Sequence, residues 1–319
     1  MKPIDTSFTK LQTAILSGAP SADLADVAIT PSGDAYFMDS RTKSVSQFSP
    51  AGEQIRRFGG AGGRPGQFTI PWRLTVDPSG TVYVLDIKQS RVHAFHDGVF
   101  TKAIAFAPTG ITAQDVMVTE SGIVYVGGYR HSTASDTAKN TVHRLADDGQ
   151  VVSSFFPLDR KTETLNLRVI AGVSLARGPG DSVFAAQVTE SQAVHFSADG
   201  APLATVGRAT AIYREPVRLP VLLHKVSREE LKAFLSEWTQ LVSVIPGPEA
   251  RLILVYAVYN PVRYALDVYE NGVLVAEGLG SECKPVAWLP DGRLVFSDVR
   301  GKDVALHSYE WAESVAHNR

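Results

Sequence analysis

The sequence predicts an all-β fold in which one small antiparallel sheet is copied six times about a common axis, a six-bladed β-propeller. Three observations predict it. The stretch from Phe58 to Phe95 reads as short strands joined by tight turns, with RLTV, TVYVLD and RVHAF arranged around the turn DPSG. A meander this small cannot bury both faces alone, so it must stack on copies of itself. The turn closing its first hairpin recurs as PSG at Gly33 and Gly80, ESG at Gly122, GPGD around Gly180, PGPEA around Glu249 and PDG at Gly292. The intervals of about 47, 42, 58, 69 and 43 residues lie near the length of a propeller blade, two of them swollen by insertions. Finally, strand-forming residues, Gly and Pro dominate the 319-residue chain, which fits one repeat array better than two unrelated folds.

Taken in order, blade one covers about 24–60, with DVAI as inner strand, DAYFMD second and SVSQF third. Blade two covers 72–106 and ends in a fourth strand near Phe100. Blade three, 114–157, has DVMV, IVYVGG and TVHRL, with the bend between the last two stretched into a polar loop from Tyr129 to Asn140. Blade four, 170–206, reads GVSLA, SVFAAQ and AVHF, and a long charged stretch, Asp159 to Arg168, leads into it. An insertion then precedes blade five, 240–278. Its second part, 227–238, is a helix: Ser227 and Glu230 form a capping box, and Leu231, Phe234, Leu235 and Trp238 recur at helical spacing. Blade six, 284–311, has only three strands of its own. The N-terminal segment 7–16 is therefore predicted to supply its outer strand, closing the ring by removing a free edge.

In blade two, Gly66, Gln67 and Phe68 approach the first strand, Pro71 precedes it, Asp86 follows the second, and Arg91 and Val92 begin the third. This pattern resembles the NHL repeat, within the wider group of NHL and TolB-like six-bladed propellers. The resemblance is specific for this blade and looser elsewhere. It implies a propeller scaffold that recognises a partner on one face.

Composition narrows the function. A net charge of −2 excludes broad attraction to nucleic acid or a membrane surface, though not a local basic face. The sole cysteine, Cys283, excludes an internal disulfide and leaves the redox compartment open. The longest apolar run, Leu252 to Tyr259, has the length of a strand and is far too short for a membrane span. No apolar leader follows Met1, so the expected location is cytoplasmic, or periplasmic or secreted if a leader has been removed. The expected state is a monomer.

In a propeller the start of each inner strand and the bend between second and third strands meet on one face, here called the mouth face. The long insertions fall there, together with Arg130, Arg168, Arg263 and Lys284. Aligning the inner strands on their turns places Asp26, Arg73 and Asp115 at equivalent mouth positions, with Gly172, Leu241 and Pro285 completing the ring. An Arg between two carboxylates can organise a ligand carboxylate or phosphate, or simply satisfy its neighbours. Trp72, Tyr129, His131, Tyr256 and Tyr259 are candidate aromatic walls; the alternative for each is core packing.

No cofactor is predicted, and a divalent metal at the channel mouth stays open. His93 and His96 sit three apart on a strand and so point to opposite faces; His93 and His143 read as structural. Propeller lyases use His ligands around the channel and propeller lactonases a Glu, Asn and Asp set. Asn140, Asn166 and Asn260 fall in mouth-face loops, but Asp26 stands where the lactonase Glu would be. GVSLA lacks the second Gly of a nucleophile elbow, and GGAGGRPG lacks the Lys-Ser/Thr end of a phosphate loop. Cys283 lies beside Lys284, a neighbour that favours the thiolate, but no base accompanies it.

The leading expectation is a binding propeller recognising a peptide, a protein loop or a small anionic ligand. The alternative is a lyase or hydrolase with Asp26 or Asp115 as base, Arg73 as clamp and the 227–238 helix as lid. Single-stranded RNA binding is the minor reading, because acids interrupt the cations that would track a backbone.

Overall fold

Burial grades outward through each sheet, and this grading shows why the strands form where they do. The second strands Ala35–Asp39 and Val82–Asp86 are buried at every position, being flanked by strands on both edges and by sheets on both faces. The outer strands Gln54–Gly59 and Val99–Ala105 are exposed or half-buried at all but one position each. The computed structural model describes residues 2–4, 7–20, 24–130, 139–165, 172–217, 227–259, 263–300 and 303–311. Over these residues the chain forms six sheets, each built on four antiparallel strands that are sequential in five blades and completed by the N-terminal strand in the sixth, and the sheets are the blades of a propeller.

Blade one contains Leu24–Ile29, Ala35–Asp39, Ser44–Phe48 and Gln54–Gly59. Blade two contains Pro71–Val76, Val82–Asp86, Arg91–His96 and Val99–Ala105. Blade three contains Ile111–Val118, Val124–Arg130, Asn140–Leu145 and Val151–Pro157. Blade four contains Val173–Arg177, Val183–Gln187, Gln192–Phe196 and Pro202–Gly207. Blade five contains Gln240–Pro246, Arg251–Val258, Arg263–Glu270 and Val273–Ser281. Blade six contains Lys284–Trp288, Arg293–Asp298 and Asp303–Trp311, and its outer strand is the N-terminal Phe8–Pro20, antiparallel to the last strand.

The core consists of six apolar seams, each joining two neighbouring blades. Tyr36 and Met38 of blade one pack with Val84 and Phe95 of blade two. Equivalent seams follow round the ring, and the sixth sets Val295 and Leu306 of blade six against Phe37 and Phe48 of blade one. Closure is thus made twice, by the paired N-terminal strand and by this last seam. The recurring hairpin turn places Gly33, Gly80, Gly122, Gly180 and Gly292 at positive φ, the conformation that favours glycine. In the fifth copy Glu249 and Ala250 take that conformation without a glycine.

Other features depart from the expected pattern. Lys2–Pro3 adds a short parallel strand to the outer edge of blade five, Lys2 lying opposite Leu279. Part of the charged stretch before blade four is a short helix, Arg160–Thr164. The predicted helix forms as Arg228–Ser236, with Ser227 Oγ accepting from Glu230 N at 3.2 Å and Ser227 N donating to Glu230 Oε2 at 2.7 Å. Its apolar face lies on the propeller, where Phe234 and Trp238 pack with Val188 at the mouth end of blade four.

Candidate functional site

Five of the six inner strands carry an extra residue near the mouth end, between Leu24 and Asp26, Pro71 and Arg73, Ala113 and Asp115, Leu241 and Ser243, and Pro285 and Ala287. Such a bulge bends a strand and changes the aim of the next side chain. Pairing to the second strands defines the true equivalents: Asp26 opposite Met38, Arg73 opposite Leu85, Asp115 opposite Gly127, Ser174 opposite Ala186, Ser243 opposite Val255, and Lys284 opposite Ser297. The ring is therefore completed by Ser174, Ser243 and Lys284, not by Gly172, Leu241 and Pro285. Counting back from the turns misses this, because the bulge of blade six falls between Lys284 and its turn, while in blades four and five Gly180 and Glu249 stand one residue earlier in their turns than the PSG glycines do.

All six ring residues line a channel cavity of about 560 Å³. Around its mouth Lys284, Asp26, Arg73 and Asp115 alternate in charge, and two serines complete the circle. Each carboxylate also has a structural task. Asp26 Oδ2 accepts from Leu74 N of the next blade at 3.0 Å, and Asp115 Oδ2 accepts from Leu175 N of the next blade at 2.8 Å. Neighbouring inner strands share no backbone ladder, so these side chains stitch blade to blade. Asp115 Oδ1 accepts from Val116 N at 2.9 Å and lies 4.0 Å from Arg73 Nε.

Burial dominates the electrostatics. It pushes the Asp115 carboxyl up to about 6, while Arg73 and the two backbone donors pull it back and Asp26 adds to the rise. Burial also draws the Lys284 ammonium below the ordinary lysine value, with Asp26 and Asp115 opposing the shift and Arg73 reinforcing it. A desolvated, nearly charge-balanced mouth with two cations is an environment in which a ligand anion gains more than it would in water.

At the far end of the channel stands a group the sequence reading missed. Arg177, the last inner-strand residue of blade four, donates through Nε to Val118 O at 2.8 Å and through Nη2 to Val76 O at 2.7 Å. One guanidinium thus spans blades two, three and four at the floor. Tyr264 also lines the channel, and burial raises its pKa. Only its place at the mouth end of a third strand could have marked it.

The remaining candidates separate. Trp72 occupies the bulge of blade two, is 43% exposed, and lies against the Arg73 guanidinium, 5.3 Å from its ring centroid. Tyr129 and Arg130 end the second strand of blade three, half-buried and outside the channel lining; Arg130 Nε is buried without a hydrogen-bond partner among the described residues. Tyr256 is no ligand wall: it is fully buried in the seam between blades four and five, and its hydroxyl donates to Ser191 O at 3.2 Å. Tyr259 is half-buried, with its hydroxyl 3.5 Å from Gln240 Oε1, and Arg263 is exposed at the start of a third strand. His131, Arg168, Asn166 and Asn260 lie outside the described residues.

Several sequence motifs resolve as scaffold. Asp86 accepts from the backbone N–H groups of Thr69, Ile70, Lys88 and Gln89, tying the approach loop of blade two to its bend. His93 and His143 are fully buried, and burial holds both near 4. Cys283 departs from the expected activation: burial, with Asp298 next, pushes its thiol up to about 11. On the rim of blade four Lys161 is already paired, 2.9 Å from Glu215 and 3.9 Å from Glu190.

No protein-family model matches the chain, and no curated protein matches it in sequence. Solved structures do share its architecture. A member of the DUF4221 family from Bacteroides vulgatus aligns over 95% of this chain and 97% of its own, at 8% identity and a TM-score of 0.65. Regucalcin from Agrobacterium tumefaciens, a calcium-binding protein, aligns over 96% and 98%, at 13% identity and a TM-score of 0.53. Virginiamycin B lyase from Staphylococcus aureus aligns over 95% and 100%, at 9% identity and a TM-score of 0.53. At these identities the likeness is one of fold, and it places the chain among six-bladed β-propellers alongside proteins of different activities.

Proposed function

We propose that this chain is an NHL-like binding propeller whose channel mouth seats an anionic group, carried by a small molecule or by the tip of a peptide or protein loop. The observation that carries the reading is the pair Arg73 and Lys284 on the wall of one desolvated cavity, flanked by Asp26 and Asp115, each of which spends an oxygen on the next blade. With those carboxylates partly committed, the cations keep donor capacity for a ligand, and Ser174 and Ser243 offer hydroxyls across the mouth. Exposed Trp72 extends the same rim.

The test is binding of a panel of small carboxylates, sulfate and carboxyl-terminal peptides by calorimetry, with Arg73→Met and Lys284→Met. Both substitutions should weaken the best binder at least tenfold while the fold survives. Equal affinity in both variants moves the site elsewhere.

An enzymatic reading rests on a separate observation, the Asp115 carboxyl at about 6 inside a cavity, a value suited to a general base near neutral pH. It also agrees with a lyase sharing the fold. Turnover of a lactone or cyclic depsipeptide that disappears in Asp115→Asn would establish it. Turnover that persists in that variant removes Asp115 from the chemistry.

A further inference from the structure

Beside the channel, blade six brings together three side chains of unlike chemistry. Cys283 stands just before the inner strand, Asp298 ends the second strand, and His307 lies in the third. One donor atom from each, the thiol Sγ, a carboxylate oxygen and an imidazole nitrogen, lie within 4.8 Å of one another. We propose that Cys283, Asp298 and His307 form a binding site for a divalent transition metal of the zinc class.

The geometry fits. His307 Nε2 and Asp298 Oδ2 are 3.5 Å apart, close to the separation of two ligands held at about 2.0–2.1 Å on a tetrahedral ion. The other ring nitrogen, His307 Nδ1, lies 2.9 Å from Thr13 Oγ1 on the N-terminal closing strand. With Nδ1–H donating to that hydroxyl, Nε2 carries the free lone pair, the outer-shell arrangement that metal-ligating histidines use. The loop carrying the thiol is fixed as well: Ser281 Oγ accepts from Cys283 N at 3.1 Å and donates to Cys283 O at 2.8 Å. Cys283 and His307 are 9% and 8% exposed, so the ion would sit against the protein with one side open. A sulfur, nitrogen and oxygen donor set favours zinc over calcium or magnesium, which take oxygen donors.

Arg300 occupies the open side. Its Nη2 donates to Asp298 Oδ2 at 2.8 Å and lies 3.7 Å from Cys283 Sγ, while Nη1 pairs with Glu282. The guanidinium therefore neutralises Asp298 and competes with an incoming cation. Its side chain is 52% exposed, which lets it swing outward with Glu282 as partner. On binding, the S–H bond of Cys283 breaks as the sulfur–metal bond forms, and the proton passes to buffer. Because Thr13 belongs to the closing strand and pairs with His307, the ion would brace the strand pairing that closes blade six. This inference does not depend on the channel reading.

The full-length protein is titrated with Co²⁺ and with Zn²⁺. One ion per chain is expected, with a thiolate-to-cobalt charge-transfer band that Zn²⁺ abolishes. Cys283 is the sole cysteine, so the band and thiol-reagent kinetics both report on this site alone. Cys283→Ser should remove the band and His307→Ala weaken it strongly, while Arg300→Gln should tighten binding roughly 10- to 100-fold, as removal of a nearby positive charge requires. Should a variant fail to fold, protection of the native thiol from a disulfide reagent by Zn²⁺ gives the same answer without mutation. Absence of both band and protection, a preference for Ca²⁺, or Zn²⁺ affinity unchanged in Cys283→Ser overturns the proposal.

Discussion

Protonation of Asp115 should tune anion binding at the mouth. The carboxyl lies 4.0 Å from Arg73 and is held at about 6, so it ionises within an accessible pH range. An anion seated between Arg73 and Lys284 would stand roughly 7 Å from that charge, where repulsion at an effective dielectric of about 20 amounts to about 2 kcal/mol, or about 30-fold in affinity. Methanesulfonate is a suitable probe because its single charge is constant across the range. Its affinity, measured by calorimetry at fixed ionic strength, should rise by about that factor as pH falls from about 8 to about 5. Asp115→Asn should bind at about pH 8 as tightly as the parent does at about pH 5, and lose the step near 6. Stability supplies a second check with a definite sign. A carboxyl raised from 3.8 to about 6 contributes most below 3.8, and the contribution, about 3 kcal/mol at full displacement, is lost as pH rises through 6. A step that persists near pH 6 in Asp115→Asn, or affinity that is flat in the parent, refutes the reasoning.

Arg177→Met should lower unfolding stability by about 3 kcal/mol, since two charge-assisted hydrogen bonds to Val118 and Val76 vanish together; a loss under about 1 kcal/mol in denaturant titration would mean the floor is held otherwise. His93 and His143 act in the opposite sense to Asp115: imidazoles held near 4 cost stability as pH falls from 6.5 to 4, so His93→Gln should flatten acid unfolding over that window, which a pH series of thermal midpoints will show. Trp238→Ala removes the largest fully buried side chain that docks the helix and should cost about 3–5 kcal/mol by denaturant midpoint; a cost below about 1 kcal/mol would mean the helix is held without it.

Much of the architecture is readable along the chain because each blade is specified locally. The short apolar runs AYFMD and VYVLD, the turn glycines and the spacing of the copies are short-range signals, and the Ser227 and Glu230 capping box marks a helix start within four residues. Asp26, Arg73 and Asp115 could be placed together for the same reason: each lies the same number of residues before its turn. Lys284 entered the list of cations but not the ring, since the bulge at Val286 shifts blade six by one. Tyr256 looked like a wall residue until the seam between blades four and five covered it.

What the sequence by itself determined was the repeating unit, the count of six, and the use of the N-terminal strand to close the last sheet, because strand pairing and turn geometry are encoded within a few residues of where they act. The tertiary structure alone decided which side chains share a space. Asp26 and Leu74, Asp115 and Leu175, Arg177 and Val76, and Thr13 and His307 are 48, 60, 101 and 294 residues apart and meet only because the sheets close round an axis. Bulges that no composition signal marks then set the aim of Asp26, Arg73, Asp115 and Ser243, so the chemistry of the mouth follows from closure and local register rather than from any motif.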